Sequence, residues 1–381
     1  MTIMIKLDSR VVTYRFEFRP YQRRFVRRHG VAYRQTSLTT NHGNWDIREG
    51  IILRLTDESG KIGWGEIAPI SWFGSETLEQ ALDFCRQLPG EITGEIIFSI
   101  PNELPACQFG FESAWEWASG EWACRERSRT GVGSGRDEGD ERDEEDNFIT
   151  PNSCTDAINR VCTPNSLFYS ALLPAGEAAL NQWETLWQQG YHTFKWKIGV
   201  YAIADELEIF ESLIDTLPDF TKLRLDANGG LSFEEANLWL RTCDNFKANR
   251  ELPVEIEFIE QPLPVEQFQQ MLELSLSYEI AIALDESVAT LGQLAACHQQ
   301  GWQGIFVIKP GIVGSPSRLR KFCQQHQIDT VFSSVFETAI GRLAALQLAV
   351  ELSRNNRAVG FGTDHFFEQK ETWLQSLWND L

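Results

Sequence analysis

Positive charge is scarce in this chain. Lys and Arg total 34 against 54 Asp and Glu, a formal net charge of −20 over 381 residues. A nucleic acid or an anionic membrane face needs a basic surface to bind, so neither is an expected partner. No apolar stretch is long enough to span a bilayer. The opening segment, MTIMIKLDSRVVTYRFEF, is charged early and lacks a signal-peptide core, so a cytoplasmic location is expected. Close cysteine pairs are missing as well. Cys85, Cys107, Cys124, Cys154, Cys162, Cys243, Cys297 and Cys323 are too scattered for a metal-site spacing and read as reduced thiols. Hydrophobic residues, by contrast, make up 43%, enough for a large core. The length exceeds that of a usual single domain, so two are expected.

The first part reads as α+β. Val11 to Phe18 and Gly50 to Leu55 carry β-branched and aromatic residues, and Lys61 to Glu66 closes a hairpin after the turn Asp57-Glu58-Ser59-Gly60. Thr77 to Leu88 has helical spacing, and a second helix is expected over Glu112 to Cys124. This segment, residues 1–124, is expected to form a capping domain. Residues 125–147 then hold eight acidic residues between Asp137 and Asp146 and no apolar pattern. Such a stretch buries too little surface to offset its ordering entropy and reads as a disordered insertion.

Beyond it, apolar runs end repeatedly on charge. The runs finish at Lys195-Trp196-Lys197, Asp226, Glu260, Asp285 and Lys309, and from Lys197 onward the steps are 29, 34, 25 and 24 residues. One strand, one helix and two loops take that many. With Leu167 to Leu172, Asp329 to Ser334 and Ala358 to Gly362, eight strands alternate with seven helical patterns: 177–189, 203–217, 233–246, 265–276, 291–299, 317–326 and 338–352. The fold class is therefore α/β: a modified TIM-type (β/α) barrel over residues 165–365 with an α+β cap. Residues 366–381 are expected to pack back on the cap through Trp373, Leu374, Leu377 and Trp378.

The C-terminal ends of barrel strands carry active sites in this architecture. Lys195 and Lys197, two apart on one strand, share a face. Each lowers the other's pKa, which suits a general base near neutral pH. A surface Lys-x-Lys on an edge strand is the plain alternative, but a closed barrel has no edge. Asp226, Glu260 and Asp285 come from three consecutive strands with no His or Cys nearby, a set that favours Mg2+, with Mn2+ as a substitute. The three carboxylates are expected to converge on one point. Lys309 stands across the mouth as a second base or as a cation facing a developing anion, an ion pair with Asp285 or Glu286 being the bland alternative.

These residues resemble the enolase superfamily in its muconate-lactonizing subgroup: the Lys-x-Lys strand, the Asp/Glu/Asp set, Glu260-Gln261-Pro262 and Lys309-Pro310-Gly311 all match. Within it, Ile62-Gly63-Trp64-Gly65-Glu66-Ile67-Ala68-Pro69, Phe73-Gly74-Ser75-Glu76-Thr77 and Ser333-Ser334-Val335-Phe336-Glu337-Thr338 are similar to the o-succinylbenzoate synthase family. The resemblance implies Mg2+-dependent syn dehydration of 2-succinyl-6-hydroxy-2,4-cyclohexadiene-1-carboxylate, a small dicarboxylate, in menaquinone or phylloquinone synthesis. It implies that Lys197 takes the α-proton and returns it to the leaving hydroxyl. Lys309 would stabilise the enediolate from the opposite face, and Lys195 would tune Lys197. It also implies substrate contacts from Asn228, Ser333, Ser334, Gly362 and Thr363.

N-succinylamino-acid racemase uses the same lysines and stays open as an alternative. Dipeptide epimerase is disfavoured, because Gly362-Thr363-Asp364 lacks that family's Asp-x-Asp. A vestigial scaffold would not keep all five charged positions. Arg15, Arg19, Arg23, Arg24, Arg27, Arg28 and Arg34 crowd into twenty residues. Some are expected either to meet the substrate's carboxylates as a loop closes or to sit on a solvated surface. Oligomeric state is not readable.

Overall fold

The computed structural model describes residues 12–29, 32–35, 38–40, 43–121, 167–248, 254–363, 366–367 and 373–379. The acidic segment 125–147 lies outside them. The N-terminal part is a four-stranded antiparallel sheet in the order Ile62–Ile67, Ile47–Thr56, Thr13–Arg24, Glu91–Thr93. Its hairpin turn is closed by the Asp57 carboxylate, which accepts the N–H groups of Ser59 at 2.8 Å and Lys61 at 2.9 Å. The helix Leu78–Gln87 starts on a reciprocal capping box between Thr77 and Gln80.

After a short helix, Gly94–Phe98, the helix expected from Glu112 runs Pro105–Ser119 and so begins seven residues earlier. Pro105 occupies its first position, where a missing N–H costs nothing. The spacing misplaced the start because nearly every side of the helix is buried, its Gln108, Glu112 and Glu116 included, leaving no solvent-facing stripe to follow. It lies directly against the Ile62–Ile67 strand. A Cβ on Gly63 would stand 2.0 Å from the Ala114 carbonyl, and one on Gly65 would stand 2.0 Å from that of Gly110.

Eight parallel strands follow: Tyr169–Leu173, Thr193–Lys197, Lys222–Asp226, Glu255–Glu260, Ile282–Leu284, Ile305–Ile308, Asp329–Phe332 and Val359–Gly362. Neighbours in sequence are neighbours in the sheet, and the eighth pairs with the first. A bridge from Ser333 to Gly360 joins seventh to eighth and closes the barrel. All seven expected helices form between the strands. The one expected over 177–189 is divided into a 3-10 turn, Gly176–Asn181, and a short helix, Trp183–Gln188. The C-terminal helix Trp373–Asn379 rests on the cap sheet: Leu374 is buried with Tyr21, Ile52 and Trp64, and the Trp373 ring lies 5.3 Å from that of Tyr21. No described helix is long and apolar enough to cross a membrane.

The barrel interior below the mouth is charged. Strand pairing skips Glu257, since Leu223 faces Ile256 and Arg224 faces Phe258. The displaced Glu257 carboxylate takes Arg224 Nε at 2.6 Å and Arg357 Nη1 at 2.8 Å, while Arg357 also holds Asp329 at 2.7 Å. Burial alone would raise the Glu257 pKa, but Arg224 and then Arg357 bring it below the ordinary glutamate value. A depressed carboxyl contributes stability that is complete above its unfolded pKa, about 4.3, and is lost as pH falls through the folded value. Replacing Glu257 with Gln leaves Arg224 buried without its counter-charge. We expect a loss of about 3–5 kcal/mol at pH 7, read by denaturant unfolding, and a smaller loss in acid, where the wild-type carboxylate is itself being protonated.

Candidate active site

Strand register builds the site. Lys197 lies opposite Asp226, and Asp226 opposite Glu260, so three charged groups form one row across three strand ends. Lys195 sits one layer lower, opposite Arg224. Asp285 follows the fifth strand and precedes the turn Glu286–Val288. Lys309 follows the sixth strand, at the N-cap of the short helix Pro310–Val313.

The lysines and acids are interleaved. Lys195 Nζ stands 2.8 Å from Asp226 Oδ2 and 2.7 Å from Glu260 Oε1, and Lys309 Nζ is bonded to Asp285 Oδ1. The expectation of three carboxylates turned to one point is corrected here: among the described residues no three acidic, His or Cys groups stand as a ready cage. Each acid turns instead to an ammonium, where opposite charge in a poorly solvated site draws it.

The electrostatics are strongly perturbed. Burial alone would lower the Lys195 pKa, but Asp226 and Glu260 raise it well above its ordinary value. Lys197 is lowered, by burial first and by Lys195 in addition, against the pull of Asp226. Burial pushes Glu260 up to about 8, with Asp226 and Asp285 adding and Lys195 opposing. Asp285 and Glu286 are raised as well, chiefly by burial. Four acids thus share the mouth with three lysines, and the Oε2 of Glu286 is buried with no hydrogen-bond partner. The set is all oxygen and one charge short of neutral. It fits a hard cation held by Asp226, Glu260 and Asp285, with Glu286 adding field.

Loops fix these ends from outside. Glu206 accepts the N–H groups of Gly199 at 2.8 Å, Val200 at 2.9 Å and Tyr201 at 3.0 Å. Gln261 carries Ser287 and the Asp285 N–H on its amide, at 2.8 and 3.0 Å. Asn228 is drawn into the acid cluster, its N–H to Asp226 and its Nδ2 to Glu286, both at 3.1 Å. Ser334 is tied to its own loop: its hydroxyl donates to Glu337 at 3.0 Å and accepts from the Phe336 N–H at 2.9 Å. Ser333 and Gly362 sit where the barrel closes. A Cβ on Gly362 would lie 2.4 Å from the Ser170 carbonyl, so glycine is required there. Thr363 is buried just past the eighth strand.

The cap reaches this end of the barrel through residues to which the sequence alone assigned no role. Glu66, buried, accepts the Thr338 and Gly341 N–H groups, each at 2.9 Å, and hydroxyls from Tyr21 and Thr338. It therefore caps the barrel helix Ala339–Leu352 from across the domain contact. Arg48 donates to the Val335 carbonyl at 2.8 Å and to that of Pro69 at 2.9 Å. Of the crowded arginines, Arg23 donates to the Glu337 carbonyl at 3.2 Å, whereas Arg15 pairs with Glu17 on the surface and Arg19 lies over Trp378. The side chains of Arg27, Arg28 and Arg34 lie outside the described residues. The adjacency Asp285-Glu286 was a local signal for the fourth acid; Glu66 stood in the motif Ile62–Pro69 but without a partner to suggest its role, and Arg48 had no signal.

An acid-rich mouth predicts cation-dependent stability. A saturating divalent cation should raise the melting temperature, with a gain of about 2.7 kcal/mol at a hundredfold excess over Kd. Asp226→Asn and Asp285→Asn should remove that rise, and a wild-type protein indifferent to the cation would contradict the assignment.

The chain is similar to known proteins along nearly its whole length. The family described as "Enolase C-terminal domain-like" matches residues 178–376, and "MenC, N-terminal domain" matches residues 25–117. A curated o-succinylbenzoate synthase of Thermosynechococcus vestitus is 39% identical over 87% of this chain and 90% of its own. One from Yersinia enterocolitica is 30% identical over 83% and 82% respectively. A solved o-succinylbenzoate synthase of Thermosynechococcus elongatus BP-1, carrying Mg in its active site, superposes with a TM-score of 0.74 at 35% identity, covering 96% of this chain and all of that one.

Proposed function

We infer the activity from the premise that this chain belongs to the o-succinylbenzoate synthase family of the enolase superfamily. It is a lyase, and it dehydrates 2-succinyl-6-hydroxy-2,4-cyclohexadiene-1-carboxylate to o-succinylbenzoate on the way to menaquinone. The observation that carries the reading to particular residues is the row Lys197–Asp226–Glu260 across three strand ends, with Lys309 paired to Asp285 at the same mouth. We assign residues 1–124 to a cap and 165–365 to the catalytic barrel; the separation of the four-stranded from the eight-stranded sheet and the two family matches support that division.

In our reading Asp226, Glu260 and Asp285 would hold Mg2+. When bound, it would supply Lewis-acid stabilisation of charge on the substrate carboxylate. Lys197 is the base. Its lowered pKa leaves a larger neutral fraction to take the α-proton, and burial next to the Lys195 ammonium provides that lowering. As the C–H bond breaks, its electron pair moves toward the carboxylate and then back into the ring, expelling the hydroxyl. Lys197, now protonated and on the same face, gives its proton to the leaving oxygen, so that water departs and the ring becomes aromatic. Lys309 faces the opposite side of the ring and stabilises the developing negative charge without moving a proton. Lys195 stays charged, locked between Asp226 and Glu260, and holds down the pKa of Lys197. The substrate is a small dicarboxylate, for which Asn228, Ser333, Ser334, Gly362 and Thr363 are our proposed contacts.

The lysines can be separated by experiment. Lys197→Ala should lower dehydration by on the order of 10²–10⁴-fold, the usual contribution of a general base. Lys309→Ala should slow it through lost charge stabilisation while leaving proton transfer on the Lys197 face. Solvent deuterium exchange at the α-carbon of both N-succinyl amino-acid enantiomers provides the control. Exchange confined to one enantiomer fits the synthase. Rapid exchange of both by the wild type, matching the dehydration rate, would make the protein a racemase instead.

A further inference from the structure

Lys309 has a second neighbour that the mechanism above does not use. Its ammonium lies 4.0 Å from the centroid of the Phe73 ring. Phe73 belongs to the cap, not the barrel. It ends the tight turn Ser71–Phe73 and is followed by Gly74 at φ 122, so the chain leaves in a direction that an L side chain would strain. The turn is closed by the Phe73 N–H to the Ile70 carbonyl at 3.0 Å and by the Ile70 N–H to Ser75 Oγ at 2.7 Å. Three residues on, the Glu76 carboxylate takes the N–H groups of Ala106 and Cys107, at 3.0 and 2.7 Å, which ties the turn to the start of a cap helix. On the barrel side a Cβ on Gly74 would stand 3.2 Å from that of Ala289, just beyond the Asp285–Val288 turn. The ring is therefore held from both domains and is buried at 9% exposure.

We propose that Phe73 is the positioning residue for Lys309. Its ring face draws the ammonium toward the cap and fixes where that charge stands over the substrate. An aromatic face suits this task. Its quadrupole attracts a cation, yet it accepts no proton and competes for no second carboxylate. With Asp285 on one side and Phe73 on another, the lysine chain loses its rotamer freedom while at least one N–H remains to face a developing anion. The arrangement also ties the cap to the chemistry, because the lysine is fully placed only when the Ser71–Gly74 turn is seated. This rests on the reading of Lys309 as the charge-stabilising group.

The test replaces Phe73 by amber suppression with 4-fluoro-, 3,5-difluoro- and 3,4,5-trifluorophenylalanine in the full-length protein. The series drains the ring face of negative potential while keeping its shape and apolar character. We expect kcat to fall stepwise, several-fold across the series, with KM little changed. Phe73→Leu should fall below the trifluoro variant, and Phe73→Trp should restore the rate. A second readout needs neither substrate nor metal: the single 19F resonance of 4-fluorophenylalanine at position 73 should shift when Lys309 is changed to Met. An unmoved resonance, or a kcat flat across the series, overturns the proposal. If the protein proves to have another activity, the resonance still decides whether Phe73 holds Lys309, so the two failures are distinguishable.

Discussion

Everything at the barrel mouth follows from one electrostatic constraint. Asp226, Glu260, Asp285 and Glu286 must share a poorly hydrated space with Lys195, Lys197 and Lys309. Two unit charges 4 Å apart interact by about 4 kcal/mol even at an effective dielectric constant near 20. Like charges at that range cannot all remain ionised unless opposite charge is interleaved, and the lysines provide it. The same crowding pulls the groups in opposite directions: Lys195 is held charged, Lys197 is loosened toward neutrality, and Glu260 is driven up. A site that needs one fixed cation and one labile base obtains both from neighbours on the same strand, because alternation points residues two apart to the same side.

Such a cluster holds its geometry only on a rigid base. The layer below, Arg224–Glu257–Arg357–Asp329, is a second set of paired charges inside the barrel, and the row above depends on its register. The cap contributes from the other side. Glu66 and Arg48 bind the backbone of the loop after the seventh strand, and Glu112 and Gln108 take the N–H groups of Ser317 and Ser315 after the sixth. Buried carboxylates on helix N-termini join the two units without adding net charge to the mouth. The cap is therefore fastened to the two barrel loops that follow the sixth and seventh strands.

Much of this was legible in the sequence, for a physical reason. A barrel strand buried on both sides is an apolar run, and a charge at its end marks where the barrel meets solvent, so Lys197, Asp226, Glu260, Asp285 and Lys309 announced themselves. The helices between them carried a 3.6-residue stripe. Legibility failed where burial is complete or contacts are distant. The cap helix from Pro105 is buried on nearly all sides and has no exposed polar face, so its start was misplaced. Glu66 meets Thr338, and Arg48 meets Val335, across more than half the chain, with no periodicity to betray either. That Asp226 and Glu260 share Lys195 while Asp285 turns to Lys309 was also illegible, because spacing sets which strand end a group occupies and not which neighbour its side chain chooses.

The central claim is that this row of charges dehydrates a cyclohexadiene carboxylate, and its most direct test is turnover of that substrate by the purified protein with Mg2+. Appearance of the aromatic product can be followed by ultraviolet absorbance beside racemisation of N-succinyl amino acids under the same conditions. Rapid, metal-dependent aromatisation should far outpace racemisation. Absent aromatisation in a folded, Mg2+-loaded protein, or racemisation as the faster reaction, would contradict it.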